Sequence, residues 1–414
     1  MMDAATALKY LHAPVRLEVI SDRFLESRVH ALTTHSVPLR RAPLLHGHHD
    51  VILADTLRLL SIATAPLYSG SLLGAYLAWA QMRYLGAFDD STPQVELSPS
   101  AKGVAGNQRR VQSEELGIAF AVHVGLQYLT RGSGWVPSVT DVDVALTTGS
   151  IQSARQRFSV ASKTTRRPDY ILQAYQPTTR QHRILLLECK GTKDPRHSIK
   201  QLAHAASQLS GLTVGHDLPP GLAASAVLSD GKTWINVLRT PQGRSRHYWT
   251  RNHPSPLTVE VDVDSLREHP ELILDGQREV SSNDVARAAT RDGWAALALY
   301  AGNEEGYQQW AAATAVQKRE SEAPPAIRTV STESLPSGDT ALGERMTLQT
   351  PFGTVSAFRG LTSSVFEALS SSDPDRVLSA QRETASRAST VPNPERPQVI
   401  SRGADGSVLT LALG

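Results

Sequence analysis

The sequence of 414 residues predicts an α/β fold, preceded by a mostly helical N-terminal domain at 1–100 and followed by a small α+β unit at 346–414. Two observations support this prediction. Short apolar segments typical of buried strands fall between two amphipathic helices, and polar segments separate the regions. With 40% hydrophobic and 20% charged residues, the chain can bury at least one full core. At roughly 100–200 residues per domain, we expect two or three domains.

The N-terminal domain is predicted to be helical because long apolar stretches such as 72–85 recur in it. The most apolar stretch, 72–88, is interrupted by Gln81 and Arg83 and is too short for a membrane span, so we expect a buried helix and no membrane partner. The polar segment 89–107 is predicted to be a linker. An amphipathic helix begins near Ser113 and ends at Gly132.

The central region continues with strands, a helix and a further strand. The segments 170–175 and 184–189 are short and apolar, as buried strands are. Asp194 precedes a proline and is predicted to cap the next helix, which has an apolar face. The segments 223–228 and 233–238 flank a turn and predict a hairpin. The predicted order from Ser113 is therefore helix, strands, helix and strand.

The rest of the chain is predicted to extend the central domain, which we assign to 108–318, and then to form the C-terminal unit. The segment 319–345 is rich in Pro, Ser, Thr and Glu, which favours a flexible linker. The elements predicted in these regions are a strand at 259–263, helices at 284–300 and 305–318, strands at 346–358 and 399–413, and a helix at 363–370.

The charge of the chain is unevenly distributed. The formal net charge is only +2, but the segment 151–200 carries eleven Lys or Arg residues against three acids. Such a local excess favours binding to a polyanion, although a solvated basic surface is the simpler alternative. The single cysteine, Cys189, cannot form an internal disulfide, and the N-terminus shows no secretory signal. We therefore expect a cytoplasmic location.

Charged residues stand at the ends of two predicted strands. Asp169 opens one strand and Glu188 closes the next, with Lys190 two residues further on. Because side chains alternate along a strand, Glu188 and Lys190 should share one face while Cys189 points to the other. Two carboxylates and the Cys189 carbonyl would offer hard oxygen ligands to Mg²⁺, with Lys190 beside an attacking water. A simple ion pair at a strand end is the alternative.

The segments Arg167-Pro168-Asp169-Tyr170 and Leu187-Glu188-Cys189-Lys190-Gly191 resemble the PD-(D/E)XK nuclease superfamily, whose restriction endonuclease-like core runs αβββαβ. The resemblance implies that Asp169 and Glu188 bind the metal and that Lys190 assists the water. It also implies an acid on the first helix, for which Glu115 is the best candidate, although acids are favoured in a first helical turn in any case. A glutamine followed by tyrosine four residues later, found in one branch, is absent because Ala205 occupies the second position.

Further residues are assigned to nucleic-acid binding by their charge and position. On the helix after the motif, His197, Gln201, His204 and Gln208 share one face, for which a solvated surface is the simpler alternative. The predicted nucleic-acid-binding residues are Arg166, Arg167, Lys193, Arg196, Lys200 and Gln201.

Two other short motifs compete with this interpretation. A second acid-x-Lys motif, Asp230-Gly231-Lys232, is more simply a hairpin turn. The segment 46–50, His-Gly-His-His-Asp, fits the start of metallo-β-lactamase-like sites. There the next residue is usually histidine, whereas this chain has Val51, so a histidine-rich surface loop is the favoured interpretation.

The function predicted from these observations is a Mg²⁺-dependent nuclease, for which Mn²⁺ could substitute. The expected substrate is DNA, duplex rather than single-stranded, and endonuclease activity is favoured over exonuclease activity. The resemblance implies a role in restriction, phage defence or DNA repair, with a homodimer or a defence-system protein as partner. The alternative function is a non-catalytic subunit for nucleic-acid binding or assembly, with an inactive nuclease-like core.

Overall fold

The structure is a computed structural model, and it shows a mixed α/β protein. The residues that it describes are 4–33, 38–65, 73–132, 134–147, 152–153, 167–214, 219–241, 257–268, 282–322, 330–350, 353–387, 389–393 and 398–414.

Helices and strands alternate along most of the described chain. The helices are α1 (Ala4–His12), α2 (Arg23–His30), α3 (Leu53–Ala63), α4 (Leu73–Met82), α5 (Pro99–Lys102), α6 (Gly106–Leu129), α7 (Val142–Thr147), α8 (Pro195–Leu209), α9 (Ser282–Ala301), α10 (Glu304–Trp310), α11 (Ala313–Glu322), α12 (Ser363–Leu369) and α13 (Pro374–Ala385). The strands are β1 (Pro14–Ile20), β2 (Arg40–Arg41), β3 (Gly47–Ile52), β4 (Val136–Asp141), β5 (Gln152–Ser153), β6 (Tyr170–Gln176), β7 (Gln181–Thr192), β8 (Leu212–Thr213), β9 (Gly221–Leu228), β10 (Thr233–Arg239), β11 (Leu257–Glu260), β12 (Ser331–Ser334), β13 (Thr340–Thr350), β14 (Gly353–Thr362), β15 (Ser389–Asn393), β16 (Gln398–Arg402) and β17 (Ser407–Leu413).

The main sheet has the order β3-β1-β10-β9-β7-β6-β4 within the described residues, with β11 added to β7 and β2 added to β10. Strands β4, β6 and β7 are antiparallel neighbours, whereas β7 and β9 are parallel and are joined by a crossover through α8. A parallel pair needs such a long connection, because the chain must return to the starting edge of the sheet.

The prediction of a separate, mostly helical domain at 1–100 is wrong, because strands β1 and β3 from this range belong to the main sheet. Strand β1 lies parallel to β10 and antiparallel to β3. The local reason is a two-residue alternation in β1, where Val15, Leu17 and Val19 are buried while Arg16 is exposed. The boundary at 108 also falls inside α6, which begins at Gly106 rather than near Ser113.

Two helices cover the opposite faces of the main sheet and thereby build its core. Alternate residues of β7 point to opposite sides, so Leu185 and Leu187 pack with residues of α6, whereas Ile184 and Leu186 pack with residues of α8. Asp194 caps α8 as predicted, since its side chain accepts a hydrogen bond from the Arg196 N–H.

Helix α6 approaches the end of β7 unusually closely because glycines face each other there. A Cβ atom on Gly117 would lie 2.7 Å from the Lys190 carbonyl oxygen, and one on Gly191 would overlap the Ser113 carbonyl. Neither position has room for a side chain. The contact fixes the N-terminal half of α6 beside the end of β7.

The C-terminal region contains a second, antiparallel sheet with the order β12-β13-β14-β17-β16-β15. The predicted linker 319–345 is wrong in part, because it contains β12, whose exposed polar residues pair with β13, and its residues 323–329 lie outside the described ones. The C-terminal sheet therefore includes residues that precede the predicted unit 346–414. Its Val399 and Leu409 also share a core with α1 and α3.

Other predicted elements differ mainly in their boundaries. The strand expected at 346–358 is the hairpin formed by β13 and β14, and the helix expected at 305–318 is split into α10 and α11. The strand predicted at 259–263 is displaced to β11, and α13 was not predicted. None of the described helices has the length and apolar character needed to cross a lipid bilayer.

Candidate active site

The candidate active site lies where β7 extends beyond the start of β6. Pairing between these strands reaches Tyr170 opposite Leu187, and β7 continues to Thr192. The residues of β7 after Leu187 therefore have no β6 partner on that side. This arrangement leaves backbone groups at the strand end available to side chains or ligands.

Asp169 is held at this opening by backbone hydrogen bonds to both neighbouring segments. Its N–H donates to the Leu187 carbonyl over 3.1 Å, and its carbonyl accepts from the Val142 N–H over 3.1 Å. Its carboxylate accepts a hydrogen bond from the Cys189 N–H over 3.0 Å, and the Cys189 Sγ lies 3.4 Å from the same oxygen. The Asp169 carboxylate is thus fixed against the backbone of β7.

Glu188 is a fully buried carboxylate, with a side-chain exposure of 0%. Its carboxylate forms a close ion pair with the Lys190 ammonium. Burial and the charge of Asp169 raise the pKa of Glu188 to about 8, although Lys190 acts in the opposite direction. A buried carboxylate in this condition favours either a proton or a bound cation.

Lys190 contacts both carboxylates. Its Nζ is 2.5 Å from Glu188 Oε1 and 3.6 Å from Asp169 Oδ2. Burial lowers the pKa of Lys190, but the charges of Asp169 and Glu188 outweigh burial and raise it to about 12. The lysine is therefore protonated at neutral pH. When both acids are ionised, the three side chains together carry a net charge of −1.

Asp169 and Lys190 line an open cavity of about 340 Å³, whereas Glu188 is fully buried and does not line it. The cavity contains further acids that the sequence analysis did not identify, namely Asp141 at the end of β4, Asp143 at the start of α7, and Glu114 on α6. Burial raises the pKa of Asp141, with smaller contributions from the neighbouring acids. Asp141 could have been identified by the same signal as Asp169, namely an acid at one end of a strand.

Glu115 does not have the position that the resemblance implied. Its carboxylate accepts hydrogen bonds from Arg83 Nη1 over 2.8 Å and from the Tyr84 hydroxyl over 2.5 Å. The preceding residue, Glu114, lines the cavity instead. One residue along a helix turns the side chain by about 100°, and this rotation separates the two glutamates.

The predicted nucleic-acid-binding residues have different surroundings. Lys193, Arg196 and Lys200 are exposed on the loop after β7 and on α8, and Arg166 lies outside the described residues. Arg167 lines the cavity and forms an ion pair with Asp143. The structure therefore presents a basic surface beside the cavity, with Arg167 at its wall.

Two of the four polar residues predicted on one face of α8 are held by backbone groups. Gln201 donates to the Gly191 carbonyl and accepts from the Ser225 hydroxyl. Gln208 donates to the Arg167 carbonyl over 3.2 Å. Both glutamines thus fix segments that border the cavity, whereas His197 and His204 are exposed.

The competing motifs have structural roles in the described chain. The segment predicted as a histidine-rich loop forms the edge strand β3 instead. His46 accepts a hydrogen bond from the Ser21 N–H, and His49 is hydrogen-bonded to the Leu45 carbonyl. The Asp230-Gly231-Lys232 segment lies in the turn between β9 and β10, where Lys232 forms an ion pair with Glu18.

The donor set at the opening fits a hard divalent cation. Among the described residues, no three His, Cys, Asp or Glu side chains are arranged to hold a metal ion by themselves. Mg²⁺ does not need such a set, because it is usually bound by one or two carboxylates and keeps several waters. Glu188 supplies a fully buried carboxylate in contact with Lys190, and Asp169 supplies a second carboxylate next to the same lysine.

Comparison with known proteins gives no match to this chain. No family model, no curated protein and no solved structure is similar to it.

Proposed function

We propose that the protein is a Mg²⁺-dependent nuclease that hydrolyses phosphodiester bonds in DNA. The observation that carries this proposal is the contact of two carboxylates, Asp169 and Glu188, with the Lys190 ammonium, next to an open cavity that Asp169 and Lys190 line. A fully buried carboxylate is costly, and a pKa raised as strongly as that of Glu188 is typical of functional sites.

The order of elements around the site supports the same proposal. Helix α6, strands β4, β6 and β7, helix α8 and strand β9 follow each other along the chain, apart from the short α7, β5 and β8. The first three strands are antiparallel and the last is parallel to β7. This order agrees with the αβββαβ core that the resemblance to PD-(D/E)XK nucleases implies.

The proposed reaction is attack of water on a phosphodiester. A bond forms between the water oxygen and phosphorus, the bond from phosphorus to a sugar oxygen breaks, and one proton passes from the water to the leaving oxygen. Asp169, Glu188 and the Cys189 carbonyl would hold Mg²⁺, which supplies Lewis-acid stabilisation of the phosphate charge. Lys190, being protonated, donates hydrogen bonds to the water or to a phosphate oxygen and is not the base.

The basic residues beside the cavity would bind the phosphates on either side of the scissile bond. Lys193, Arg196 and Lys200 are exposed and lie in the chain between the cavity residues Gly191 and Gln201, and Arg167 lines the cavity wall. Neutralising phosphates and releasing counterions supplies affinity that falls steeply with salt concentration. We therefore expect DNA binding that weakens as salt is added.

A second candidate function is a non-catalytic subunit that binds nucleic acid. The observation in its favour is the ion pair itself, since both carboxylates already contact the Lys190 ammonium. In that case the three side chains would only close the strand end, and the basic surface would bind DNA without cutting it.

The test is incubation of the purified chain with supercoiled plasmid, linear DNA and RNA, each with Mg²⁺, Mn²⁺ or EDTA. We expect cleavage of DNA that requires the metal and that is lost in Asp169→Ala and Lys190→Ala. The matched control is the second acid-x-Lys motif, in which Asp230→Ala and Lys232→Ala should retain cleavage. Metal-dependent cleavage that survives the first two substitutions would refute the assigned site, and binding without cleavage would favour the non-catalytic subunit.

A further inference from the structure

Four polar side chains lie together on the face of the main sheet that α9 covers. Gln173 interrupts the buried apolar part of β6, and the register places it opposite Ser138 of β4. Two residues further along β6, Tyr175 lies opposite His182 of β7. All four residues line a small cavity of about 20 Å³, which residues of α9 also line. Polar groups from three strands therefore meet in one internal space.

The polar atoms of these side chains have no hydrogen-bond partner among the described residues. They are the Ser138 hydroxyl, the oxygen and nitrogen of the Gln173 amide, the Tyr175 hydroxyl and His182 Nε2. Gln173 and His182 are only 2% and 0% exposed, so bulk solvent does not reach them. Buried polar groups in folded proteins are nearly always paired, either with other protein groups or with ordered water. Several unpaired groups around one cavity therefore indicate a bound molecule.

The hydrogen bonds of His182 define which group it presents to the cavity. Burial lowers the pKa of His182 to about 3, so its ring is neutral and carries one proton. The Thr290 hydroxyl donates to the Ala286 carbonyl over 2.8 Å, which leaves its oxygen to accept from His182 Nδ1 over 3.2 Å. The proton of the ring therefore lies on Nδ1, and Nε2 is an acceptor. The occupant of the cavity must donate a hydrogen bond to it.

The lining of the cavity favours a neutral, polar and very small occupant. It contains no carboxylate, lysine or arginine, so neither a cation nor an anion would find a counter-charge there. An apolar occupant would leave the polar groups unpaired. A water molecule needs about 10–15 Å³ of space and two to four polar partners, and the cavity provides both.

We infer that the cavity binds one ordered water molecule, which donates to His182 Nε2 and accepts from the Gln173 amide, with the Ser138 hydroxyl as a further partner. The water joins β4, β6 and β7 beneath α9 through hydrogen bonds that these side chains do not make to each other. The paired residues Ile171 and Leu186 separate it from the candidate active site on the same face of the sheet. The inference is therefore independent of the proposed nuclease function.

The test counts long-lived water molecules in the full chain by magnetic relaxation dispersion of the water oxygen. Gln173→Leu replaces the amide by an apolar group of similar size and removes one side of the bridge. We expect this variant to hold about one long-lived water molecule fewer than the unchanged protein. The matched control is Gln181→Leu, the same substitution at an exposed position at the start of β7, which should leave the count unchanged.

The melting temperature of a smaller variant gives a second measurement, which decides the question even if Gln173→Leu does not fold. Ser138→Ala removes one hydroxyl and adds no bulk beside Gly293, so it is expected to fold. If the Ser138 hydroxyl binds the water, the substitution removes a hydrogen bond and should lower the melting temperature by a few degrees. If the cavity were dry, the substitution would remove an unpaired buried hydroxyl and raise the melting temperature.

Two results would overturn the inference. An equal count of long-lived water molecules in Gln173→Leu and in the unchanged protein would show that the amide holds no water in the cavity. An unchanged or higher melting temperature of Ser138→Ala would show that its hydroxyl has no partner there.

Discussion

The Glu188→Gln substitution should stabilise the metal-free protein while abolishing its cleavage activity. Glutamine has the shape of glutamate but carries no charge, so it removes one of the two negative charges beside Lys190. The remaining pair, Asp169 with Lys190, is electrically balanced. If the site were selected only for stability, this substitution should lower the free energy of unfolding. If the site were selected for binding a cation, the substitution should raise the free energy of unfolding in the absence of that cation.

The size of the gain follows from the pKa of Glu188, which rises from 4.5 to about 8 in the folded chain. Between these two pH values the folded protein binds more protons than the unfolded chain, so the free energy of unfolding falls as pH rises. The loss is at most about 1.4 kcal/mol per pH unit. We therefore expect Glu188→Gln to be more stable than the unchanged protein at pH 7.5 by on the order of 2–4 kcal/mol, and equally stable near pH 4.5.

The measurement is urea denaturation of both proteins in EDTA at pH 4.5 and 7.5, repeated with Mg²⁺ at pH 7.5. Bound Mg²⁺ should stabilise the unchanged protein by mass action and should have little effect on Glu188→Gln. The same preparations are assayed for plasmid cleavage, which only the unchanged protein should show.

One outcome would refute this reasoning directly. If Glu188→Gln is less stable than the unchanged protein at pH 7.5 in EDTA, the contact between Glu188 and Lys190 is net stabilising. The residues would then form a structural ion pair, and the non-catalytic alternative would gain support.

Three further predictions concern other parts of the molecule. Burial lowers the pKa of His182 to about 3. Its contribution to stability is therefore present above pH 6.5 and declines as pH falls from 6.5 towards 3. In urea denaturation, His182→Gln should show a smaller loss of stability between pH 6 and pH 4 than the unchanged protein. Gly117→Ala should destabilise the fold by roughly 1–3 kcal/mol and reduce cleavage, because its Cβ would lie 2.7 Å from the Lys190 carbonyl oxygen. The control Gly103→Ala, with its nearest atoms at 3.5 Å, should melt at the same temperature as the unchanged protein. Glu115→Gln should retain Mg²⁺ affinity in calorimetric titration. A loss of Mg²⁺ affinity comparable to that of Glu188→Gln would show that Glu115 belongs to the metal site.

The central part of the fold could be predicted because its signals are local. The apolar run in β7 is bounded by charged residues, and Asp194 stands directly before α8, so both boundaries are visible in the sequence. Asp169, Glu188 and Lys190 could be identified for the same reason. They interrupt a pattern of buried strands with charges that need a ligand or a partner.

The remaining features depend on register and on contacts between distant segments. Glu114 and Glu115 are adjacent in the sequence, and only the orientation of α6 against the sheet decides which of them lines the cavity. Asp141 reaches the site because β4 pairs with β6 so that Asp141 lies opposite Tyr170. Neither relation is visible in the local sequence pattern.

The parallel pairing of β1 with β10 has a consequence for synthesis of the chain. The Ser21 hydroxyl, directly after β1, donates to the Val237 carbonyl across a separation of 216 positions. At translation rates of about 5–20 residues per second, β1 leaves the ribosome roughly 10–40 seconds before its partner strand β10. During this interval its alternating apolar residues have no sheet to cover them, so we expect the nascent chain to depend on chaperone protection until β10 has emerged.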